Sequence, residues 1–482
     1  MSANSAIDHR WAALALLCAA YFMVILDVAV VGVAAPSIKA DLGFSQQGLQ
    51  WIVSAYAISF GGLLLLGGRV ADLLGRRAVF MAGTILFTLA SLAAGLAWSP
   101  TSLLVARVAQ GTGAAIITPA ALSIVTTLFA DGTERNKALG IWSAMGAIGG
   151  TTGLVLGGIL TDTVGWQWLF YINIPVGAAV LAISPSLLPR SRRAADERGF
   201  DSLGAVAVTA SLVLLVYAIV KAPDAGWGSA QTILLLAGSA LLLAAFGVIE
   251  ANTAKPLVPL AILRRRLLVG GNLLGLVAGA SIFSWFFIAT LYLQQVLDYS
   301  PLKAGLAFLA GSLGGLAGSL VAQGVATKIG LRPVALAGAV LLAAGLLLQT
   351  RLSVDSSYLS DLLPAFALMG IGTGCGFVVS SIAALTGVEE HEAGLASGLI
   401  NTFQQIGGAV GVAILSTVAV SRTQDLLPGD GSPAAALTEG FTSAFGAALA
   451  FPAAAAIIAL LLLGARRSAR APAEAAPAPD SA

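Results

Sequence analysis

Two charged side chains stand where charge is expensive. Asp27 lies deep in the apolar run Leu26-Asp27-Val28-Ala29-Val30-Val31, and Arg107 is the only basic residue well inside any apolar run. A charge at the centre of a bilayer costs about 2.5–3.5 kcal/mol on insertion scales, so such a group must face a wet cavity, find a partner or titrate. Low dielectric favours the neutral carboxyl, which suits Asp27 to proton exchange; as an anion it can hold a cationic substrate. The plainer reading makes it a structural hydrogen bonder. Arginine does not deprotonate usefully, so Arg107 would act on a nearby carboxylate and be screened in turn. Asp27 is a candidate partner that spacing alone does not establish, and an arginine bonded only to helix carbonyls is the alternative. Gln110 is a candidate supporting group. Asn401 and Gln405, four apart on one helix face, line a cavity or bond between helices. Tyr56, Trp142 and Trp285 are aromatics able to stack on a flat or cationic ligand, or simply to pack.

The elements that must position these groups are apolar helices. The chain has 482 residues, 58% hydrophobic and 10% charged, with mean hydropathy +0.92, far from the composition of a soluble domain. Apolar runs recur at about the 20 residues that cross a bilayer core. Fourteen spans are expected: 11–35, 48–67, 78–98, 102–129, 137–161, 167–188, 202–221, 231–250, 268–293, 303–326, 333–351, 360–385, 395–420 and 442–464. The first is a retained span rather than a signal peptide, because it is long and carries Asp27. With the N-terminus inside, 19 of the 25 Lys and Arg fall in inside segments and 5 outside, Arg107 lying within a span. This predicts two cytoplasmic termini. Cys18 and Cys375 both sit in apolar runs, which argues against a disulfide framework or zinc site.

Phosphate loops, zinc spacings and nucleophile elbows are missing from the sequence. The glycine run 370–376 lies inside an apolar span, without the strand-to-helix context of a nucleotide site. A non-enzyme with no cofactor and no nucleic-acid partner is expected, drawing on an ion gradient. The two parts of the chain echo each other. Gly75-Arg76-Arg77 recurs as Gly330-Leu331-Arg332, Gly111-x-Gly113 as the 370–376 run, and Gly149-Gly150-x-x-Gly153 as Gly407-Gly408-x-x-Gly411. Parallel repeats of six spans fit this pattern, with a substrate site between them near mid-membrane.

Several stretches carry a resemblance to a known family. Gly68-x-x-x-Asp72-x-x-Gly75-Arg76-Arg77, read as a short loop between spans two and three, resembles the signature of major facilitator superfamily transporters. The resemblance implies that Asp72 pairs with Arg76 and latches a cytoplasmic gate. Arg107-Val108-Ala109-Gln110-Gly111-x-Gly113 resembles the superfamily's proton-coupling motif in span four. The glycines Gly149, Gly153, Gly157 and Gly158 resemble its antiporter motif, with Leu154 where the motif has proline; close packing alone is the alternative. The run from Asp27 to Pro36, the run Trp166-Gln167-Trp168-Leu169-Phe170-Tyr171-Ile172-Asn173-Ile174-Pro175 and the stretch Tyr292-Leu293-Gln294-Gln295 are similar to the fourteen-span drug:proton antiporters. The resemblance covers nearly the whole chain.

It implies an all-α polytopic fold of two six-helix bundles plus two inserted helices. The expected division is 1–189, an inserted pair at 190–266, 267–465, and a disordered cytoplasmic tail at 466–482. It implies a monomer in the cytoplasmic membrane of a bacterium, exporting lipophilic or cationic small molecules in exchange for protons. A narrow-specificity metabolite permease or symporter on the same fold is the alternative.

Overall fold

The computed structural model describes residues 3–46, 48–129, 133–189, 201–253, 256, 264–386, 388, 393–426 and 432–464. The expected tail at 466–482, the stretch 190–200 and the side chain of Asp72 lie outside the described residues. Among those described, all regular structure is helical. Helices α1 (Ala3–Leu42), α2 (Gln50–Leu74), α3 (Arg76–Gly95), α4 (Pro100–Leu128), α5 (Thr133–Thr163), α6 (Trp168–Tyr171) and α7 (Asn173–Leu187) pack on one another. A hairpin follows, α8 (Ser202–Ala225) and α9 (Ala230–Asn252). The second group is α10 (Arg266–Gln295), α11 (Pro301–Ala307), α12 (Leu309–Ile329), α13 (Leu331–Gln349), α14 (Leu363–Leu385), α15 (Ala393–Leu426), α16 (Pro433–Ala448) and α17 (Ala450–Leu462).

Eleven helices among the described residues are long and apolar enough to cross a membrane, and two shorter apolar stretches lie at Gln50–Leu64 and Leu203–Ile219. The expected fifth span falls in α5. Helix starts are written locally: Ser99, Ser300 and Ser432 each cap a helix that opens with proline, their side chains accepting from a backbone N–H two or three residues into the turn. The oxygen satisfies an orphan donor, and proline costs nothing where no donor is needed.

One expectation needs correcting. The segment 68–77 is not a loop: α2 runs on to Leu74, and α3 begins at Arg76. Gly75 alone makes the turn, with φ +98° and its N–H on Ala71 O, a conformation cheap only for glycine. Gly330 turns α12 into α13 the same way, at φ +89° with its N–H on Ala326 O. The repeat seen in sequence is therefore one of backbone geometry.

Glycines set how closely the helices approach. A Cβ on Gly67 would stand 2.2 Å from Ala115 O, bringing α2 against α4, and one on Gly113 would stand 2.8 Å from Phe87 N, bringing α3 against the same helix. In the second group α14 lies between α12 and α13 likewise: a Cβ on Gly370 would meet Gly311 O at 2.0 Å, and one on Gly372 would meet Leu342 N at 2.5 Å.

The two groups meet along three seams. Gln294 Nε2 donates to Val33 O (2.7 Å) and Gln46 Nε2 to Gln295 Oε1 (3.3 Å), joining the C-terminal ends of α1 and α10. A Cβ on Gly158 would lie 2.6 Å from Pro301 O, and one on Gly305 would lie 2.5 Å from Leu154 O, joining α5 and α11. Gly61 lies against Gln405, while Ala57 and Ile58 cluster with Ala409 and Ala413, so α2 and α15 run antiparallel. Helix α8 lies along this seam: Thr209 Oγ1 donates to Gly62 O (2.8 Å), and Tyr217 packs on Trp51.

At the other end Trp11 packs on Phe129, Arg10 pairs with Glu134, and Arg266 reaches Leu461 O. The first and last described residues therefore share one end of the bundle, and the seams close the opposite half.

Gly67→Ala should lower the melting temperature clearly, because the nearest atom is helix backbone and overpacking costs about 1–3 kcal/mol. Gly150→Ala, where no atom lies within 4 Å, should leave it unchanged. Thermal unfolding of the purified protein in detergent compares the two.

Candidate functional site

The groups singled out in spans one and four converge. Asp27 is 0% exposed and Arg107 is 1% exposed. Arg107 Nη1 donates to Asp27 Oδ2 at 2.5 Å. Its Nε donates to Ile52 O (3.1 Å), and Nη1 also reaches Gln110 Oε1 (3.0 Å). The guanidinium lies over the Tyr56 ring, 4.3 Å from its centroid. Gln110 Nε2 donates to Asp27 Oδ1 (3.0 Å) and to Ser91 Oγ (2.8 Å). Charge-assisted bonds of this kind are roughly twice as strong as neutral ones, and here they satisfy two charges that the bilayer would otherwise penalise.

Two members of this group carried no assigned role in the sequence. Asn173 Nδ2 donates to Asp27 Oδ1 (3.0 Å) and to Ser91 Oγ (3.3 Å), and Ser91 Oγ donates to Phe87 O (2.8 Å). Asn173 opens α7, after the short helix α6 breaks at Ile172. In the sequence its place two residues before Pro175, within an otherwise apolar run, was the available signal for it. Ser91 carried none, since a serine in a helix commonly bonds its own i−4 carbonyl, as this one also does.

The glycine stripe of α5 faces α1. A Cβ on Gly149 would lie 3.2 Å from Ile25, one on Gly153 would lie 2.7 Å from Ala29, and one on Gly157 would lie 3.1 Å from Val30, while Gly158 meets α11. Leu154 is buried and α5 runs through it without a break.

The residues expected to form a gate lie at the end of the bundle that carries the first and last described residues. Arg76 Nη1 reaches Ser123 O near the end of α4 (3.4 Å), and Arg77 Nη1 donates to Leu188 O at the end of α7 (3.1 Å). Cations at helix C-termini are favoured by the unpaired carbonyls there. Gly68 packs on Pro119.

The remaining cavity candidates are spread out. Tyr56 and Gln110 belong to the Asp27 group. Trp142 stacks on Tyr21, centroids 4.2 Å apart, where α5 meets α1. Trp285 is enclosed within the second group, its Nε1 donating to Gln349 Oε1 (2.8 Å) among Phe286, Phe308 and Phe366. The structure does not bring it to Asp27. Gln405 is buried at the α2 seam, and Asn401 lies one turn before it, half-buried.

Membrane-length helices thus pack in two groups, with an ion pair buried among polar side chains in one of them. Residues 17–412 match the Major Facilitator Superfamily, and the chain belongs to that family. It is 40% identical over 446 residues to the puromycin resistance protein pur8 of Streptomyces alboniger, covering 92% of this chain and 88% of that one. It is 43% identical over 427 residues to the cephamycin export protein CmcT of Amycolatopsis lactamdurans, covering 88% and 86%. The fold is shared with the crystal structure of a bacterial homolog to the human lysosomal transporter Spinster, in an inward-facing and unoccupied conformation. The TM-score is 0.66 at 16% identity, over 94% of this chain and 97% of that one. The protein is thus a multi-pass membrane protein with bacterial relatives.

Removing one charge of the pair should cost more than removing both. Asp27→Leu leaves Arg107 buried and uncompensated, a loss of about 3–5 kcal/mol. Asp27→Leu combined with Arg107→Met should recover most of the lost melting temperature. Thermal unfolding of the wild type, both single variants and the double variant gives the coupling.

Proposed function

We propose that the protein exports lipophilic or cationic small molecules, antibiotics among them, across the cytoplasmic membrane of a bacterium in exchange for protons. The observation that carries this reading is the buried Asp27–Arg107 pair, in a chain similar along most of its length to named resistance and export proteins. An acidic side chain inside a membrane bundle is a functional group by default, and its partner Arg107 cannot release a proton. Asp27 therefore takes up and gives back the proton. No further cofactor is invoked.

On this reading the chain crosses the membrane fourteen times with both termini cytoplasmic. Bundles 1–189 and 267–465 rock about a central substrate site, and 190–266 supplies the two inserted helices. The seams between α1 and α10, α2 and α15, and α5 and α11 close the end remote from the termini, as an inward-facing carrier requires. Gly68, Asp72, Gly75, Arg76 and Arg77 form the inside gate. Asp27, Tyr56, Gln110 and Trp142 in the first bundle, with Asn401 and Gln405 across the seam, contribute to the substrate path. The protein works as a monomer. The unbroken α5 at Leu154, where the antiporter motif has proline, favours the second reading, a narrow-specificity metabolite permease or symporter on the same fold.

Energised everted vesicles loaded with a pH-sensitive dye and challenged with puromycin, cephamycin and a panel of lipophilic cations separate the readings. Proton release in the wild type, abolished in Asp27→Asn, is the expected result. Proton movement that survives in Asp27→Asn removes that residue as the carrier, and a wild type silent to every compound while the cells take up a nutrient favours the permease.

The outer seam makes a second expectation. Gln294→Leu keeps the bulk but drops the bond to Val33 O, so thiol labelling of a cysteine placed at Gln46 should become several-fold faster. Unchanged labelling would mean the bond does not hold that seam.

A further inference from the structure

The donors around Asp27 suit only one of its charge states. Oδ1 accepts from Gln110 and Asn173, and Oδ2 accepts from Arg107. An ionised carboxylate is acceptor-only, so three converging donors fit it; a protonated carboxyl needs an acceptor for its own O–H. Arg107 has no acceptor atom. Gln110 cannot supply one, because its Oε1 is held by Arg107 Nη1, and turning the amide would set –NH₂ against a group that only donates. Asn173 is under no such constraint. Its Nδ2 meets Asp27 Oδ1 and Ser91 Oγ, and a hydroxyl accepts or donates equally well.

We infer that Asn173 is a positioning residue that serves both charge states of Asp27 by turning its side-chain amide. With Asp27 ionised, Nδ2–H donates to Oδ1, as observed. When a proton from water reaches Oδ1, the amide rotates by half a turn, and the new O–H donates to Asn173 Oδ1. Ser91 Oγ–H, now on Phe87 O, turns to the same oxygen. No covalent bond changes other than the one to the proton. Asp27 is thus held in place by a hydrogen bond from α7 whether charged or neutral, and Arg107 is released from its counter-charge without the carboxyl swinging away. Among the described residues of the other packed elements, the charged and titratable groups that face Asp27 are Arg107 on α4 and Tyr56 on α2, whose hydroxyl donates to Val24 O (3.5 Å). Helix α3 contributes Ser91, and α5 contributes its glycine stripe.

This inference rests on Asp27 as the proton carrier, and the test keeps the two apart. The purified full-length protein in lipid nanodiscs is titrated by infrared difference spectroscopy, with Asp27→Asn identifying the Asp27 carboxyl band. Wild type should show that band appearing as the pH falls, together with a side-chain amide carbonyl change of the same midpoint. In Asn173→Leu and the smaller Asn173→Ala, the amide change should vanish. The carboxyl midpoint should move upward by roughly half a pH unit to one unit, the difference between the hydrogen bond lost to the charged form and the weaker one lost to the neutral form. The sign follows because the bond to the ionised form is the stronger of the two that are lost. A midpoint that stays put in either folded variant overturns the assignment of Asn173 alone. An amide change that persists without Asn173 overturns the rotation. A wild-type carboxyl that never takes up a proton overturns the carrier reading and this inference with it.

Discussion

The structure depends on two charges that can be buried only together. A carboxylate or a guanidinium alone at mid-membrane would shed its charge, find water or destabilise the helix that carries it. Placed against each other, they still need their remaining hydrogen-bonding capacity filled, because low dielectric strengthens both the attraction and the penalty for a missing partner. Five helices are committed by that requirement. Helix α1 brings Asp27, α4 brings Arg107 and Gln110, α2 gives the carbonyl of Ile52, α3 gives Ser91 and α7 gives Asn173. The bonds are 2.5–3.3 Å long, so the backbones must come close. Gly67, Gly111 and Gly113 allow it by replacing side chains with helix-to-helix contact.

The same packing is used twice, but the charge is used once. Helix α14 lies between α12 and α13 through its glycines as α4 lies between α2 and α3, and Gly330 repeats the turn of Gly75. Among the described residues, however, the buried charged side chains are Asp27, Arg107, Asp201 and Glu250, and none belongs to α10–α17. There the interior is filled by Trp285, Phe308 and Phe366, with the indole satisfied by Gln349. The buried ion pair thus lies in the first group, and packed aromatic side chains fill the corresponding interior of the second.

Much of this was legible in the sequence. Charge inside apolar runs is rare enough that Asp27 and Arg107 stand out, and helical spacing places Gln110 beside Arg107. Other features depended on information that a linear pattern does not hold. Residues 68–74 read as a loop because charge interrupts the apolar run, yet charged residues form helix readily, and the turn needed only the positive φ of Gly75. Trp285 was open between stacking on a ligand and packing, because which face of α10 meets the aromatic cluster is decided by α12 and α14. Asn173 was visible within a motif, while its partner lies 146 residues away, and only the fold sets that pair at 3.0 Å. The pairing of Arg107 with Asp27, open from spacing alone, closes for the same reason.

Helix α1 links the buried charge to the closed end of the bundle. Asp27, the α5-facing residues Ile25, Ala29 and Val30, and the carbonyl of Val33 lie within three turns of it. Pro36 lacks the N–H that would serve Gly32 O and crowds the turn before it, and at that turn α10 takes hold, through Gln294 on Val33 O. The glycines of α5 let α1 lie close along its length without interlocking side chains. Arg10 on Glu134 and Trp166 Nε1 on Asp41 Oδ2 hold its two ends, so α1 is gripped at both ends as well as at the charge and the seam.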